Sequence, residues 1–192
     1  IKAGLEPDVP TLADFAETWM LENEVRWRPS TKVFMLQHLN QHLLPKFGKR
    51  VVSEITRAEI LAFRSDLAKV HSRKGKPLSS RTVNAHMLVL KALLNEAAAR
   101  YQFMAPTDRI PSLKIKRATI EPFTLAEVQL IIDMMPDVFK NYVAVRFFTG
   151  MRTSEADGLL WENIDWDRKQ ILVQTSAAED ADLKNEGSCR AI

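Results

Sequence analysis

Residues 79–101 read SSRTVNAHMLVLKALLNEAAARY, the longest helical pattern in the chain. Ser79 and Ser80 are residues of the type that favours a helix N-cap. After them, apolar residues recur in alternating steps of four and three, which is the spacing of one helix face: Val83, Met87, Leu90, Leu94, Ala97 and Tyr101. The stretch therefore predicts a long amphipathic helix whose apolar face must be covered by neighbouring elements.

Three shorter helical patterns lie upstream of this stretch. Thr11 is the expected cap of the first. The second runs through Leu36, Leu39 and Leu43 and is expected to be closed by Pro45 and Gly48. Thr56 and Glu59 have the spacing of a capping box, which predicts the start of the third. The four patterns together predict a four-helix bundle.

The chain then divides into two modules. Residues 105–122 contain three prolines and no helical stripe, which predicts an interdomain linker, with a long surface loop inside one domain as the alternative. The first module is then residues 1–104 and the second residues 123–192. The second module has a helical pattern over 138–148 and a β-branched strand pattern over 170–175. The predicted fold class is mainly α, a four-helix bundle followed by a truncated α+β domain with a small β-hairpin.

Composition excludes several classes of protein. The 192 residues include a single cysteine, Cys189, which rules out an internal disulfide framework and a cysteine-rich zinc site. The four histidines are dispersed, and no apolar run approaches the length of a membrane helix. We therefore expect a cytoplasmic protein without a metal, a cofactor, a membrane partner or a small-molecule substrate.

Charge is distributed unevenly along the chain, although the net charge is only +3. Residues 1–105 hold 16 Lys and Arg against 10 Asp and Glu, whereas residues 106–192 hold 11 against 14. A basic first half beside a mildly acidic second half suggests that one module binds a polyanion. A solvated, lysine-rich surface is the alternative.

A second feature is the segment TGMRTSE, which places Arg152 between two predicted helices. Gly150 ends an apolar, buried helix, and Thr153 or Ser154 is expected to cap the next, which runs to about residue 161. Arg152 then lies at a helix N-terminus, where the helix dipole and the guanidinium both favour a phosphate. Glu155, three residues on, would orient Arg152, although an ordinary surface ion pair has the same spacing.

A third feature is Lys184, in a polar stretch between the predicted strand and residues 188–192, which are expected to pair back with it. A lysine on a hairpin loop can reach into a groove and give a proton to a leaving oxygen. Solvated lysines are also common on hairpin loops, so this feature is weak alone.

The last two features together resemble the tyrosine recombinases, the integrase family. That family has Thr-Gly-x-Arg-x-x-Glu, an aliphatic pair, a Trp and Ile-Asp before a strand, and these are matched by Thr149, Gly150, Arg152, Glu155, Leu159, Leu160, Trp161, Ile164 and Asp165. Its hairpin lysine motif is matched by Lys184, Asn185, Ser188, Arg190 and Ile192. The first module resembles the SAM-like core-binding domain of the family at Pro29, Ser30 and Thr31, at residues 42–48 and at Leu78 and Ser79.

The resemblance implies a fold and a reaction. Family members bind duplex DNA as a clamp, and a tyrosine attacks a DNA phosphate to give a 3′-phosphotyrosyl bond, without a metal or cofactor. By resemblance, Arg152 would stabilise the pentacoordinate phosphate, Lys184 would protonate the 5′ leaving oxygen, and Glu155 would support Arg152. The full-length parent would be a nucleoid-associated recombinase that forms a homotetramer on DNA.

Two departures from the family pattern bear on activity. No histidine is followed three residues later by arginine, so the His-x-x-Arg segment of the family is absent. Tyr101 and Tyr142 lie in helical patterns and do not match the nucleophile motif. Both ends of the chain look like cuts through a longer polypeptide, and we expect this fragment to be unable to cleave DNA alone.

Contacts with DNA are expected to come mainly from the basic first half and the linker. The expected phosphate contacts are Lys46, Lys49, Arg50, Arg73, Lys74, Lys76, Lys114, Lys116 and Arg117. On the long helix, the face opposite the apolar stripe carries Arg81, Asn84, Lys91 and Asn95, which could read bases in a major groove or be a solvated surface. A non-catalytic DNA-binding regulatory protein and a basic helical interaction module without a DNA role remain as alternatives.

Overall fold

The computed structural model describes residues 9–72, 75–116, 119–173 and the backbone of 190–191. The chain divides into two compact units, between Arg117 and Ala118. This division falls inside the predicted linker, and the predicted module boundaries at residues 104 and 123 stay predictions.

The first unit is a helical bundle, as the sequence predicted. Its helices are α1 (Leu12–Glu24), α2 (Pro29–His38), α3 (Leu44–Phe47), α4 (Arg57–Lys69) and α5 (Ser80–Tyr101). A short 3-10 turn, Val52–Glu54, precedes α4. The α5 stripe lies at the centre of the core, where Val83, Leu90 and Leu94 are fully buried. Burial of such side chains contributes about 1.5–3 kcal/mol each, which is why the periodicity of this helix dominates the fold.

Helix starts in this unit agree with the capping patterns. Thr11 accepts a hydrogen bond from the Asp14 backbone N–H. At α4, the Thr56 hydroxyl accepts from the Glu59 N–H, and the Glu59 carboxylate accepts from the Thr56 N–H at 2.9 Å. At α5, the Ser79 hydroxyl accepts from the Thr82 N–H. These local bonds satisfy N–H groups that have no partner inside the helix.

The second helical run was expected to be closed by Pro45 and Gly48, and the structure confirms Gly48, which is the C-cap, but not Pro45. The chain continues from α2 through a π-helical turn, Leu39–Leu43, directly into α3, which ends at Phe47. Within the turn the Leu44 N–H bonds to the Leu39 carbonyl, five residues back. Pro45 therefore stands in the first turn of a new α-helical segment, where the N–H that proline lacks is not needed.

Residues 105–116, which we call the strap, lie against the first unit. Ile110 is 5% exposed and belongs to the same apolar cluster as α1, α4 and α5, and Leu113 packs against that cluster. Thr107 is also buried. The strap is therefore part of the first unit's packing.

The second unit combines three helices with a small antiparallel sheet. The helices are α6 (Leu125–Met134), α7 (Asp137–Thr149) and α8 (Thr153–Asp157). A 3-10 turn, Trp161–Asn163, leads to the strands β1 (Ile164–Asp165), β2 (Gln170–Val173) and β3 (Arg190–Ala191), in the order β1-β2-β3. Ile164 pairs with Ile171, and Leu172 pairs with Ala191. The expectation that residues 188–192 pair back with the strand is thus confirmed at β3.

Two expectations for this unit are wrong. The helix after Arg152 ends at Asp157, because Gly158 forms its C-cap, and does not reach residue 161. The helix that precedes Gly150 was expected to be buried, yet no residue of α7 is buried in the part of the chain described. Along the described residues, none of the helices is long and apolar enough to cross a membrane.

Candidate active site and nucleic-acid interface

The turn between α7 and α8 fixes the position of Arg152. Gly150 has a φ of +67°, a left-handed conformation that glycine adopts at little cost, and its N–H bonds to the Arg146 carbonyl. Met151, the next residue, is 4% exposed and anchors the chain in the unit. Arg152 itself is the N-cap of α8, so the expectation that Thr153 or Ser154 caps this helix is wrong. It therefore lies at a helix N-terminus, as the sequence predicted.

Glu155 holds Arg152 by two hydrogen bonds. Its carboxylate accepts from the Arg152 backbone N–H at 2.8 Å and from the Arg152 guanidinium at 2.6 Å. The Glu155 side chain is 2% exposed, whereas the Arg152 side chain is 70% exposed. A buried carboxylate requires a partner for its charge, so this pair differs from a solvated surface pair.

The same unit contains an ordinary pair for comparison. Arg168 and Asp165 are also three residues apart, but their N···O distance is 3.8 Å and the carboxylate is 28% exposed. The buried carboxylate and the shorter contact therefore distinguish Arg152 and Glu155 from a pair that has the same sequence spacing.

Tyr142 joins the two helices that flank Arg152. Its hydroxyl donates to the Asp157 carboxylate at 2.5 Å, which connects α7 to the last residue of α8. This hydrogen bond and the nearby negative charge raise the pKa of Tyr142 above its ordinary value. The hydroxyl is therefore bound to Asp157, and the expectation that Tyr142 is not the nucleophile stays a prediction.

Lys184 lies outside the described residues, so its distance from Arg152 is not part of the described structure. The same holds for Arg73, Lys74 and Arg117 among the expected phosphate contacts. The roles assigned to these four side chains stay predictions.

The other expected phosphate contacts fall into two groups. The first group consists of side chains that are exposed and free to meet a phosphate: Lys46, Lys49, Lys76, Arg81, Lys114 and Lys116. Arg50 is different, because its guanidinium forms a 2.6 Å ion pair with Glu59. An ion pair neutralises part of its charge, which weakens its attraction to a phosphate.

Asn84 and Lys91, expected on the solvated face of α5, both bind the strap. The Asn84 side chain donates to the Leu113 carbonyl at 2.9 Å and accepts from the Leu113 N–H at 2.8 Å. The Lys91 ammonium donates to the Ile110 carbonyl. Both side chains are half-buried. A role in reading bases stays a prediction for them, but their polar groups already have partners inside the unit.

Two arginines of α4 bind the strap from the other side and were missed in the sequence. Arg57 donates to the Asp108 and Arg109 carbonyls at 2.7 and 3.1 Å, and Arg64 donates to the Pro111 carbonyl at 2.8 Å. The available signal was their spacing of seven residues, which places both on one face of a helix.

A histidine cluster lies inside the first unit. The Nδ1 atoms of His38 and His86 are 3.1 Å apart, and the His42 ring meets the His86 ring edge-on with a centroid separation of 4.8 Å. Burial, followed by the charges of His38 and His42, lowers the pKa of His86 to about 4. Burial also lowers the pKa of His38. No group of side chains suited to hold a metal ion occurs among the described residues.

The sequence is similar to known integrases. Residues 11–68 match the family described as phage integrase, N-terminal SAM-like domain. The ICEBs1 integrase of Bacillus subtilis (strain 168) is 28% identical over 131 residues, which cover 66% of this chain and 34% of that protein. The integrase of Salmonella phage P22 is 33% identical over 126 residues, which cover 62% of this chain and 32% of that protein.

The structure is also similar to those of solved integrases. A Tn1549 transposon integrase in complex with transposon right end DNA has a TM-score of 0.76 at 17% identity, covering 95% of this chain and 60% of that one. A lambda integrase tetramer bound to a Holliday junction has a TM-score of 0.75 at 15% identity, covering 98% of this chain and 52% of that one.

Residues 11–68 match the N-terminal domain of the phage integrases, and the similar sequences and structures support the tyrosine recombinase family. The chain spans about a third of the length of the two integrases to which its sequence is similar. The chain therefore resembles the family in two places, the Thr-Gly-x-Arg-x-x-Glu segment and the helical unit. The mainly α fold with a small antiparallel sheet is the fold of these recombinases.

Proposed function

We propose that this chain supplies the core DNA-binding domain and the first part of the catalytic domain of a site-specific DNA recombinase. The observation that carries the proposal is the pair formed by Arg152 and Glu155, in which a buried carboxylate holds an exposed guanidinium at the beginning of α8. Residues 1–104 would bind duplex DNA, residues 105–122 would link the domains, and residues 123–192 would contribute to catalysis.

Arg152 would bind the phosphate that is cleaved. A guanidinium has five N–H donors, and the contact with Glu155 uses only part of this set. The remaining donors can bind phosphate oxygens as negative charge accumulates on them in the transition state. Because Glu155 holds both the backbone and the side chain of Arg152, little reorganisation is needed when the phosphate arrives.

Lys184 would act on the leaving group. A tyrosine from outside these 192 residues would attack the phosphorus, forming the 3′-phosphotyrosyl bond and breaking the bond to the 5′ oxygen. The Lys184 ammonium would give a proton to that oxygen, which leaves as a 5′-hydroxyl. Reversal of the same step with a different 5′-hydroxyl would join new strands, so no cofactor is required.

The chain by itself would bind DNA without cleaving it. Its sequence contains no His-x-x-Arg segment, and Tyr101 and Tyr142 both lie in helices. The Tyr142 hydroxyl is in addition bound to Asp157. The partner would be duplex DNA at a recombination site, and the full-length protein would act as a homotetramer in the cytoplasm, associated with the nucleoid.

Covalent trapping tests the catalytic part. In a full-length protein that includes these residues, a nicked duplex carrying the recombination site should yield a protein–DNA adduct that persists in denaturing gels. Arg152→Ala and Lys184→Ala should each abolish most of the adduct, since loss of one charge-stabilising donor typically lowers such rates by about 100- to 1,000-fold. Arg168→Ala removes the ordinary ion pair of the same unit and serves as the matched control.

The outcomes separate the competing functions. Adduct formation unchanged by both substitutions would refute the roles of Arg152 and Lys184. Binding of duplex DNA without any adduct, even in the full-length protein, would favour a non-catalytic regulatory protein. Absence of salt-dependent binding to duplex DNA would favour a basic interaction module with no DNA role.

A further inference from the structure

The strap lies in the groove between two helices and is held from both sides. On the α4 side, Arg57 and Arg64 donate to carbonyls of residues 108–111. On the α5 side, Asn84 and Lys91 bind Leu113 and Ile110, and the Asn95 side chain accepts from the Thr107 hydroxyl. The strap therefore runs in the same direction as α4 and opposite to α5.

The cations that hold the strap keep their full charge. Arg57, Arg64 and Lys91 bond to backbone carbonyls, which are neutral, and none of them forms an ion pair with an acidic side chain in the part of the chain that the structure describes. Arg50 and Arg100 of the same unit instead bond to carboxylates.

The acidic side chain on the strap does not pair with these cations. Asp108 lies on the strap itself, and its carboxylate pairs with Arg109 at 3.4 Å. Beyond Leu113 the strap carries Lys114 and Lys116, which are exposed. The groove is therefore a basic surface, defined by Arg57, Arg64, Lys91, Lys114 and Lys116, which we call the strap surface.

We propose that the strap surface binds DNA phosphates, with Arg57 and Arg64 as contacts that the strap holds in position. The proposal rests on the DNA-binding function proposed above and adds to it two residues, Arg57 and Arg64, that sequence reasoning did not select. Long basic side chains lose conformational freedom when they bind, so fixing them beforehand favours association. Arg57 is exposed and Arg64 half-exposed, and each guanidinium retains N–H donors beyond those bonded to carbonyls.

The two arginines that hold the strap are separated along α4. Arg57 and Arg64 lie seven residues apart on this helix, which is roughly 10 Å along its axis. Phosphates of one strand recur about every 3.4 Å along the duplex axis. Cations anchored at both ends of this span can therefore contact different phosphates.

Salt titration of DNA binding tests the proposal with the whole 192-residue chain. Binding of a fluorescein-labelled duplex of random sequence is measured by anisotropy between about 50 and 200 mM NaCl. Each contact with a phosphate contributes about −0.9 to the slope of log K against log salt. Arg57→Gln and Arg64→Gln should each reduce the magnitude of the slope by about 0.9, and the double variant by about 1.8.

The matched control is Arg100→Gln. Arg100 also belongs to the first unit, but Glu22 and Glu96 neutralise it, so its removal should leave the slope unchanged. Arg57→Lys retains the charge and should keep the wild-type slope, which separates loss of charge from damage to the fold. Asn84→Ala removes the two bonds to Leu113 without changing charge, and it should weaken binding at an unchanged slope.

The results separate this proposal from the one on which it rests. If the wild-type chain binds duplex DNA with a steep slope and both glutamine variants retain that slope, the strap surface does not contact phosphates and DNA binding lies elsewhere. If the wild-type chain shows no salt-dependent binding, the DNA-binding function itself fails. Reduced slopes in Arg57→Gln and Arg64→Gln, with an unchanged slope in Arg100→Gln, support the proposal.

Discussion

The buried histidines of the first unit should make its stability depend on pH. His86 is 1% exposed, and none of the residues that the structure describes forms a hydrogen bond with its Nε2 atom. Its Nδ1 faces His38 Nδ1 at 3.1 Å, a contact that requires one ring to donate and the other to accept. Protonation of His86 would add a buried charge and an unpaired donor, so the folded state favours the neutral ring.

The sign and size follow from the lowered pKa. Because the pKa of His86 falls from an ordinary 6.5 to about 4, the unfolded chain binds more protons than the folded chain between these values. Stability is therefore fully present above about pH 6.5 and decreases as the pH falls toward about 4. Linkage gives a loss of about 2.5 kcal/mol at about pH 4.5, and about 3.4 kcal/mol below both pKa values.

Urea unfolding of the wild type and of His86→Leu, each at about pH 7.5 and about pH 4.5, measures this effect. Acidic residues also lose stabilising interactions at low pH, but their contribution is the same in both proteins and cancels in the comparison. The loss between the two pH values should be smaller in His86→Leu by about 2.5 kcal/mol. His71→Gln removes an exposed histidine and should behave as the wild type. Equal losses in the wild type and in His86→Leu would refute the reasoning.

Two further predictions concern local backbone features of the second unit. Gly150→Ala should destabilise the second unit by about 1–2 kcal/mol in thermal or urea unfolding, because the φ of residue 150 is +67°. The added Cβ itself would meet no atom within 4 Å. A loss of stability above this range would mean that lack of space, rather than the φ angle, limits the substitution. Thr124→Ala removes the hydroxyl of the α6 capping box and should lower the free energy of unfolding by about 1 kcal/mol. Thr124→Ser keeps a hydroxyl and should retain most of that stability. Equal stability of the two variants would contradict the role of the cap.

Features that depend on neighbours in the chain could be predicted from the sequence. The start of α4 follows from Thr56 and Glu59, and the apolar face of α5 follows from its periodicity. The pairing of Arg152 with Glu155 follows from their separation of three residues at the beginning of a helix. Each of these involves residues within one or two helical turns, whose geometry is nearly constant.

Features that depend on how distant elements pack were decided by the tertiary structure alone. His38 and His86 are separated by 48 residues, and Arg57 and Arg109 by 52, so no local pattern relates them. The strap was expected to be part of a linker, because it contains prolines and has no helical period. Neither feature indicates that Ile110 packs into the core. Burial of Glu155 likewise depends on the packing of the second unit around α8. Local rules determine which elements form, but the burial of a side chain and the partner it meets depend on the arrangement of all the elements, which a one-dimensional pattern does not contain.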